Sequence, residues 1–224
     1  MKQRKTIGLL TIGQSPRTDM TQDLQPIFKE KADYLEAGAL DGLTKDQIHT
    51  MKPEPGEHFL VTRLTDGTAV TVAAHHLSER MQEQISNLEA SGASAIMILC
   101  TEAFQPFNCG IPVIYPNDIL KALVPMVAPG GHIGVILPDA GQVADFAAVW
   151  EQVVPKVTAS HGSPYMEDES LEHAAKSFAH TDVDLIVLDC MGYSSRQQQQ
   201  VSQWSGKPVL LARTLAAKIL MELI

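Results

Sequence analysis

What this sequence has little of narrows its class before any motif is read. Basic residues are outnumbered, 17 Lys and Arg against 26 Asp and Glu, giving a formal net charge of −9. Nucleic-acid binding rests on clustered cations that release phosphate counterions, so no nucleic-acid partner is expected. No apolar run approaches the roughly 18 residues of a membrane-spanning helix, and the early stretch IGLLTI is too short for a signal-peptide core. A cytoplasmic protein without a membrane partner is the expectation. The three cysteines are widely spaced and form no CxxC pair, which suits reduced thiols better than a disulfide scaffold or a zinc site. GxGxxG is also absent, so Gly8 and Gly13 make no dinucleotide fingerprint.

What is present is a chain of 224 residues, 45% hydrophobic and 19% charged, ordinary for a globular protein and long enough for one large or two small domains. Two stretches organise it. Asp184 to Arg196, DLIVLDCMGYSSR, is an apolar run that ends in Asp189 and Cys190 and passes into residues able to cap a helix. Ser94 to Phe104, SAIMILCTEAF, delivers Cys100 and Thr101 in the same manner. Unbroken Val/Ile/Leu runs of this length read as parallel strands covered on both faces, and ligands of open α/β sheets bind at the carboxyl ends of such strands. The inert reading stands beside this one, because free cysteine is often only a small buried hydrophobe.

In chain order, Lys5 to Ile12 predicts a strand. The turn Gly13-Gln14-Ser15-Pro16-Arg17 leads to a helix capped by Thr18 or Asp19 and running to about Lys31. Leu35 to Leu40 predicts a second strand, and Leu43 to Met51 a short helix capped by Thr44. Phe59 to Leu64 and Ala69 to Ala74 flank Thr65-Asp66-Gly67-Thr68, a strong hairpin signal. His76 to Ser91 carries Leu77, Met81, Ile85 and Leu88 on one helical face. After the Cys100 strand, the sequence predicts a strand at Pro112 to Tyr115, a helix capped by Asn117 and, past Pro129-Gly130-Gly131, a strand at His132 to Leu137. Then come helix Ala140 to Val153, strand Lys156 to Ser160, helix Met166 to Ala179, the Cys190 strand and helix Ser195 to Trp204. Strand Pro208 to Ala212 and a helix capped by Thr214 end the chain.

This alternation predicts parallel sheets built from βαβ units. Ile7-Gly8-Leu9-Leu10 resembles Ile133-Gly134-Val135-Ile136, and the two cysteine strands resemble each other, so an internal duplication is expected. The fold class is therefore α/β, with two pseudo-symmetric flavodoxin-like parallel-sheet halves facing across a cleft. The first half takes residues 1–115 plus 208–224, with a β-hairpin insertion at about 57–75, and the second takes 116–207.

The segment TIGQSPRTD, the segment LDCMGY and the length together resemble the AroM family over essentially the whole chain. The resemblance implies a branch of the aspartate/glutamate racemase superfamily, which includes hydantoin racemases, maleate isomerases and arylmalonate decarboxylases. It implies an active site in a cleft between the halves, no metal and no other cofactor. Cys100 and Cys190 take the places of the catalytic cysteines, and Thr101 a substrate-contacting place. Gln14, Ser15 and Arg17 fall on the loop that contacts substrate. Where racemases read Cys-Asn-Thr and Cys-Thr-His, this chain has Cys100-Thr101-Glu102 and Cys190-Met191-Gly192, which counts against an amino-acid substrate.

The implied chemistry is proton transfer next to a carboxylate, one thiol taking the proton and the other returning it on the opposite face. Cys190 precedes the Ser194/Ser195 helix cap, where the helix dipole favours an anion. Strand alternation turns Asp189 away to the opposite face. Arg17 has the fork to grip a carboxylate, although a polar turn is also an ordinary place for a surface arginine. Ser15, Thr101 and Ser194 assist, and Tyr193 walls the site. The expected partner is a small carboxylate-containing molecule. The sequence leaves a homodimer open, and a non-catalytic carboxylate binder or a single-cysteine decarboxylase stands as the alternative function. His75 and His76 with Glu79 hint at a metal, but adjacent side chains diverge and no third ligand is spaced nearby. Cys109 reads as structural, and His161, Glu167, Asp168 and Glu169 as a solvated loop.

Overall fold

In the computed structural model, which describes residues 4–29, 31–166 and 169–224, the chain divides into two compact units. Unit 1 comprises Met1–Tyr115 with Ala217–Ile224, and unit 2 comprises Pro116–Ala216.

Unit 1 is built on a parallel sheet of β1 (Lys5–Thr11), β2 (Ala32–Gly38), β5 (Ile96–Ile98) and β6 (Val113–Ile114), in the order β2-β1-β5-β6. Helix α1 (Thr18–Phe28) connects β1 to β2 and α3 (Ser78–Ala90) leads into β5. Between β2 and α3 lie the short helix α2 (Lys45–His49) and an antiparallel hairpin, β3 (Phe59–Arg63) with β4 (Ala69–Ala73). The hairpin forms where Asp-Gly is flanked by β-branched residues: Gly67, at φ 83°, takes the left-handed conformation that its turn requires. Ile96, Met97 and Ile98 are all fully buried, which is why β5 reads as an unbroken apolar run.

Unit 2 repeats the plan with β7 (His132–Leu137), β8 (Lys156–His161), β9 (Leu185–Leu188) and β10 (Val209–Leu211), in the order β10-β9-β7-β8. Read from the other edge, this is the order of unit 1. Its helices are α4 (Pro116–Val127), α5 (Val143–Glu151), α6 (Ser170–Ser177), α7 (Ser195–Ser205) and α8 (Ala212–Glu222), the last of which runs on into the residues of unit 1. The register repeats as well. Gly8 pairs with Leu35 and Ile96, and Gly134 with Thr158 and Ile186. Ile96 N–H donates to the Pro112 carbonyl and Ile186 N–H to that of Pro208, at 2.9 and 2.8 Å.

Several boundaries differ from expectation. Residues 208–216, assigned from the sequence to the first half, run with the second, because β10 pairs with β9. Thr214 does not cap α8, which starts at Ala212 and encloses Thr214 in its first turn. Helix α4 starts at Pro116, whose missing N–H costs nothing in a first turn, so Asn117 lies inside it. Helix α6 covers only Ser170–Ser177 of the expected Met166 to Ala179, and positions 167 and 168 lie outside the described residues. Among the described residues no helix is long and apolar enough to cross a membrane.

Candidate functional site

Parallel strands deliver their following loops to one edge, and in unit 1 that edge gathers the sequence-predicted residues of the first half. β1 and β5 are neighbours, and just past them Leu99 N–H donates to the Leu10 carbonyl at 2.7 Å. The next residue is Cys100, partly exposed, whose sulfur accepts the Glu102 N–H at 3.4 Å. Thr101 is buried at 6% exposure. The Glu102 carboxylate meets His58 Nε2 at 3.0 Å.

The loop after β1 is held by acids. Asp41 accepts from the Ser15 N–H, the Ser15 hydroxyl and the Gly38 N–H, each at 2.7 Å. Arg80 fixes the Asp41 turn from α3 by donating to the Ala39 and Asp41 carbonyls. Gln14 donates to the Leu40 and Leu43 carbonyls and accepts from the Thr65 N–H and hydroxyl. Arg17 is 2% exposed: Nε and Nη2 fork onto the Asp19 carboxylate at 2.8 Å, Nη1 donates to Thr11 Oγ1, and the Arg17 N–H donates to Glu36 at 2.7 Å. Burial pushes the Glu36 carboxyl up, against the lowering pull of the Arg17 N–H and charge, and Asp19 and Asp41 add to the rise.

Unit 2 presents the counterpart. Asp189 N–H donates to the Ile136 carbonyl, and Cys190 follows, its sulfur accepting the Gly192 N–H at 3.3 Å. Here the turn is clamped by Arg213, fully buried, which donates through Nε and Nη2 to the Met191 and Gly192 carbonyls at 2.8 Å each. A Cβ on Gly192 would meet the Tyr165 hydroxyl at 2.5 Å, so a larger residue there would have to displace that ring. Tyr193 lies fully inside the core, its hydroxyl donating to the Gly162 carbonyl at 2.6 Å, and burial holds its pKa well above the usual tyrosine value. Ser194 caps α7 in a reciprocal box with Gln197, its hydroxyl accepting the Gln197 N–H.

Asp189 is 4% exposed and accepts Trp150 Nε1 at 2.7 Å. Over the Trp150 ring, 3.5 Å from its centroid, sits Lys121 Nζ. Burial lowers the Lys121 pKa to about 8, with the Asp189 charge opposing.

Cys109 stands apart from these turns, on the segment beside α3, near Glu89 at 3.6 Å, and burial raises its pKa. The segment that follows Thr101 lines a groove of about 640 Å³, together with His58, His75 and Glu79: Glu102, Phe104 and Phe107 are on its wall. His75 faces Glu57 at 3.9 Å, and among the described residues no three His, Cys, Asp or Glu side chains are grouped to hold a metal ion.

The structure thus gathers Gln14, Ser15, Arg17, Cys100 and Thr101 at one sheet edge, and Cys190, Tyr193 and Ser194 at the matching edge of the other sheet. Glu36, Asp41, His58, Glu102 and Arg213 were missed by the sequence reading. Only Glu102 carried a signal, as the acidic departure after Cys100.

Comparison with solved structures finds the same fold in several enzymes. Glutamate racemase from Francisella tularensis in complex with D-glutamate is similar at 15% identity and TM-score 0.59, over 98% of this chain and 80% of that one. The maleate isomerase Iso from Pseudomonas putida S16 is similar at 12% and 0.63, over 97% and 92%. Unliganded arylmalonate decarboxylase is similar at 13% and 0.60, over 98% and 92%. At such identities the likeness is one of fold. No curated protein matches the chain. A family model described as AroM protein matches residues 7–224.

Proposed function

The chain belongs to the AroM family, and we propose that it is a cofactor-independent racemase- or isomerase-type enzyme acting on a small carboxylate through Cys100 and Cys190. One observation carries this reading: the two cysteines end equivalent central strands, and each sulfur accepts the N–H of the residue two places on. An N–H aimed at sulfur stabilises the charged form more than the neutral one, which is what a thiol acting as a base needs.

In the proposed reaction one thiolate takes the proton α to the carboxylate, the electron pair passes into the carboxylate as an enediolate, and the second thiol returns a proton to the opposite face. One sulfur ends protonated and the other deprotonated, so a turnover in the reverse direction restores the start. Thr101 and the α7 N–H groups behind Ser194 would receive the carboxylate. Arg17, Gln14 and Ser15 would shape the first loop, since their polar groups are already held by Asp19, Leu40, Thr65 and Asp41. Tyr193 would fix the second turn from below through Gly162.

Single-cysteine decarboxylation is the second reading, favoured by the inequality of the two turns: a glutamate stands two places after Cys100 where a glycine stands two places after Cys190. Incubation of candidate carboxylic acids with the protein in D2O separates the readings. Inversion with uptake of solvent deuterium, abolished in Cys100→Ser and in Cys190→Ser, is the expected outcome. Release of CO2 that survives in one of the two variants would replace it with the decarboxylase. Thermal stabilisation by an acid that never exchanges or changes would leave a carboxylate binder.

A further inference from the structure

The turns that hold the two thiols are alike in backbone and unlike in what secures them. In unit 2 the securing group is the Arg213 guanidinium, fully buried and charged at every accessible pH. In unit 1 it is an imidazole. His58 stands at the root of the hairpin, just before β3, and its Nε2 meets Glu102 at 3.0 Å. Glu102 is also the residue whose N–H faces the Cys100 sulfur. The hairpin region, which has no counterpart among the described residues of unit 2, therefore reaches the Cys100 turn through the His58–Glu102 contact. It reaches the other loop of the same edge as well, by way of the Arg63 carbonyl, which accepts the Gln14 N–H at 3.1 Å, and Thr65.

We propose that His58 is a positioning residue for Cys100: by holding the Glu102 side chain it fixes the residue whose N–H faces the sulfur. The proposal rests on Cys100 being a working thiol, and it names a support of that site. The side chains bear it out in their exposure. His58 is 49% exposed, while Glu102 is only 15% exposed, so its charge is poorly screened. The other charged groups around the imidazole are Glu57 beside it in sequence, His75, which pairs with Glu57, and Glu79 at the start of α3. None of these carries the N–H that faces the sulfur.

The physical consequence is directional. With His58 in place, the Glu102 side chain has a partner and its N–H stays on the Cys100 sulfur, which favours the thiolate. When that contact is removed, the Glu102 N–H is less firmly held on the sulfur, and the Glu102 charge, two residues from Cys100, opposes thiolate formation, since a like charge disfavours ionisation. Cys190 is followed by Met191 and Gly192, with no carboxylate at the place of Glu102, and serves as an internal reference.

The test is iodoacetamide alkylation of the full chain from pH 5 to 9, with the rates at Cys100 and Cys190 followed by peptide mapping. In Glu102→Gln, which keeps an acceptor for His58 but removes the charge, Cys100 should alkylate about threefold faster near pH 8 while Cys190 is unchanged. In His58→Gln, Cys100 should slow severalfold while Cys190 is unchanged. A His58→Gln profile at Cys100 that superposes on the wild type throughout overturns the proposal, and so do equal changes at both cysteines. Alkylation needs no substrate, so this result stands or falls independently of the deuterium experiment.

Discussion

Gly8 and Gly134 occupy the same place in two sheets: each faces an isoleucine of the neighbouring strand, Ile96 or Ile186, and each lies against the helix that leads into it. Cys100 ends the run Ile96-Met97-Ile98-Leu99, and Cys190 ends Ile186-Val187-Leu188-Asp189. The glycines let a helix side chain press onto the sheet behind each cysteine, Leu88 in one unit and Phe178 in the other.

A methyl group at these positions therefore has a calculable neighbour. In Gly8→Ala it meets Leu88 Cδ1 and Ile96 Cγ1 at 3.0 Å, and the end of the leucine can swing aside. In Gly134→Ala it meets the edge of the Phe178 ring at 3.0 Å with Ile186 Cγ1 at 3.2 Å, and a fully buried ring cannot yield. Gly134→Ala should lose more stability in urea unfolding, at the upper end of the about 1–3 kcal/mol typical of overpacking. Adding Phe178→Leu, which copies the first unit's pair, should recover part of that loss. A double variant no better than the sum of the two single changes would contradict the assignment.

Arg213→Met should cost about 2–4 kcal/mol, because two buried carbonyls, those of Met191 and Gly192, lose their donor and each is expensive to leave unmet. Arg213→Lys keeps the charge but not the fork and should fall between the two. Urea midpoints rank the three proteins, and equal stability of Arg213→Met and the wild type would rule out the clamp.

Lys121 predicts a pH dependence. Its pKa is lowered from 10.5 to about 8 in the folded protein, so the unfolded chain binds more protons through that window. Stability should rise with pH between about 8 and 10.5, and the contribution is lost again as pH falls through the folded value. Lys121→Met, which keeps the stem over Trp150, should flatten the rise. Thermal melts between pH 8 and 9.5, below the range in which exposed tyrosines ionise, check it, and an unchanged slope would refute the lowered value.

The sequence made some of this legible for local reasons. Asp66-Gly67 between β-branched runs specifies its own hairpin, and β5 and β9 are apolar throughout because both faces are covered. What escaped it was non-local. Whether β10 joins one sheet or the other depends on its pairing with β9 across α7, and the short segment 208–216 looks the same in either place. Arg213 reads as an ordinary helix residue until the Cys190 turn folds over it. Arg17 sits in a polar turn, and nothing in that turn announces that Asp19 takes up its fork and lets it be buried. Cys100 and Cys190 were visible because apolar runs point at them, whereas His58 lies in the inserted hairpin region, remote from any such pattern.

Trp150 is one of two tryptophans in the chain, and its indole nitrogen is bound to Asp189, the neighbour of Cys190, with the Lys121 cation over the ring. Indole emission responds to charge and hydrogen bonding in its surroundings, so the molecule contains its own optical reporter beside the second thiol. Once Trp204 on α7 is replaced by phenylalanine, events at Cys190 can be watched in real time through Trp150 fluorescence, without attaching a label.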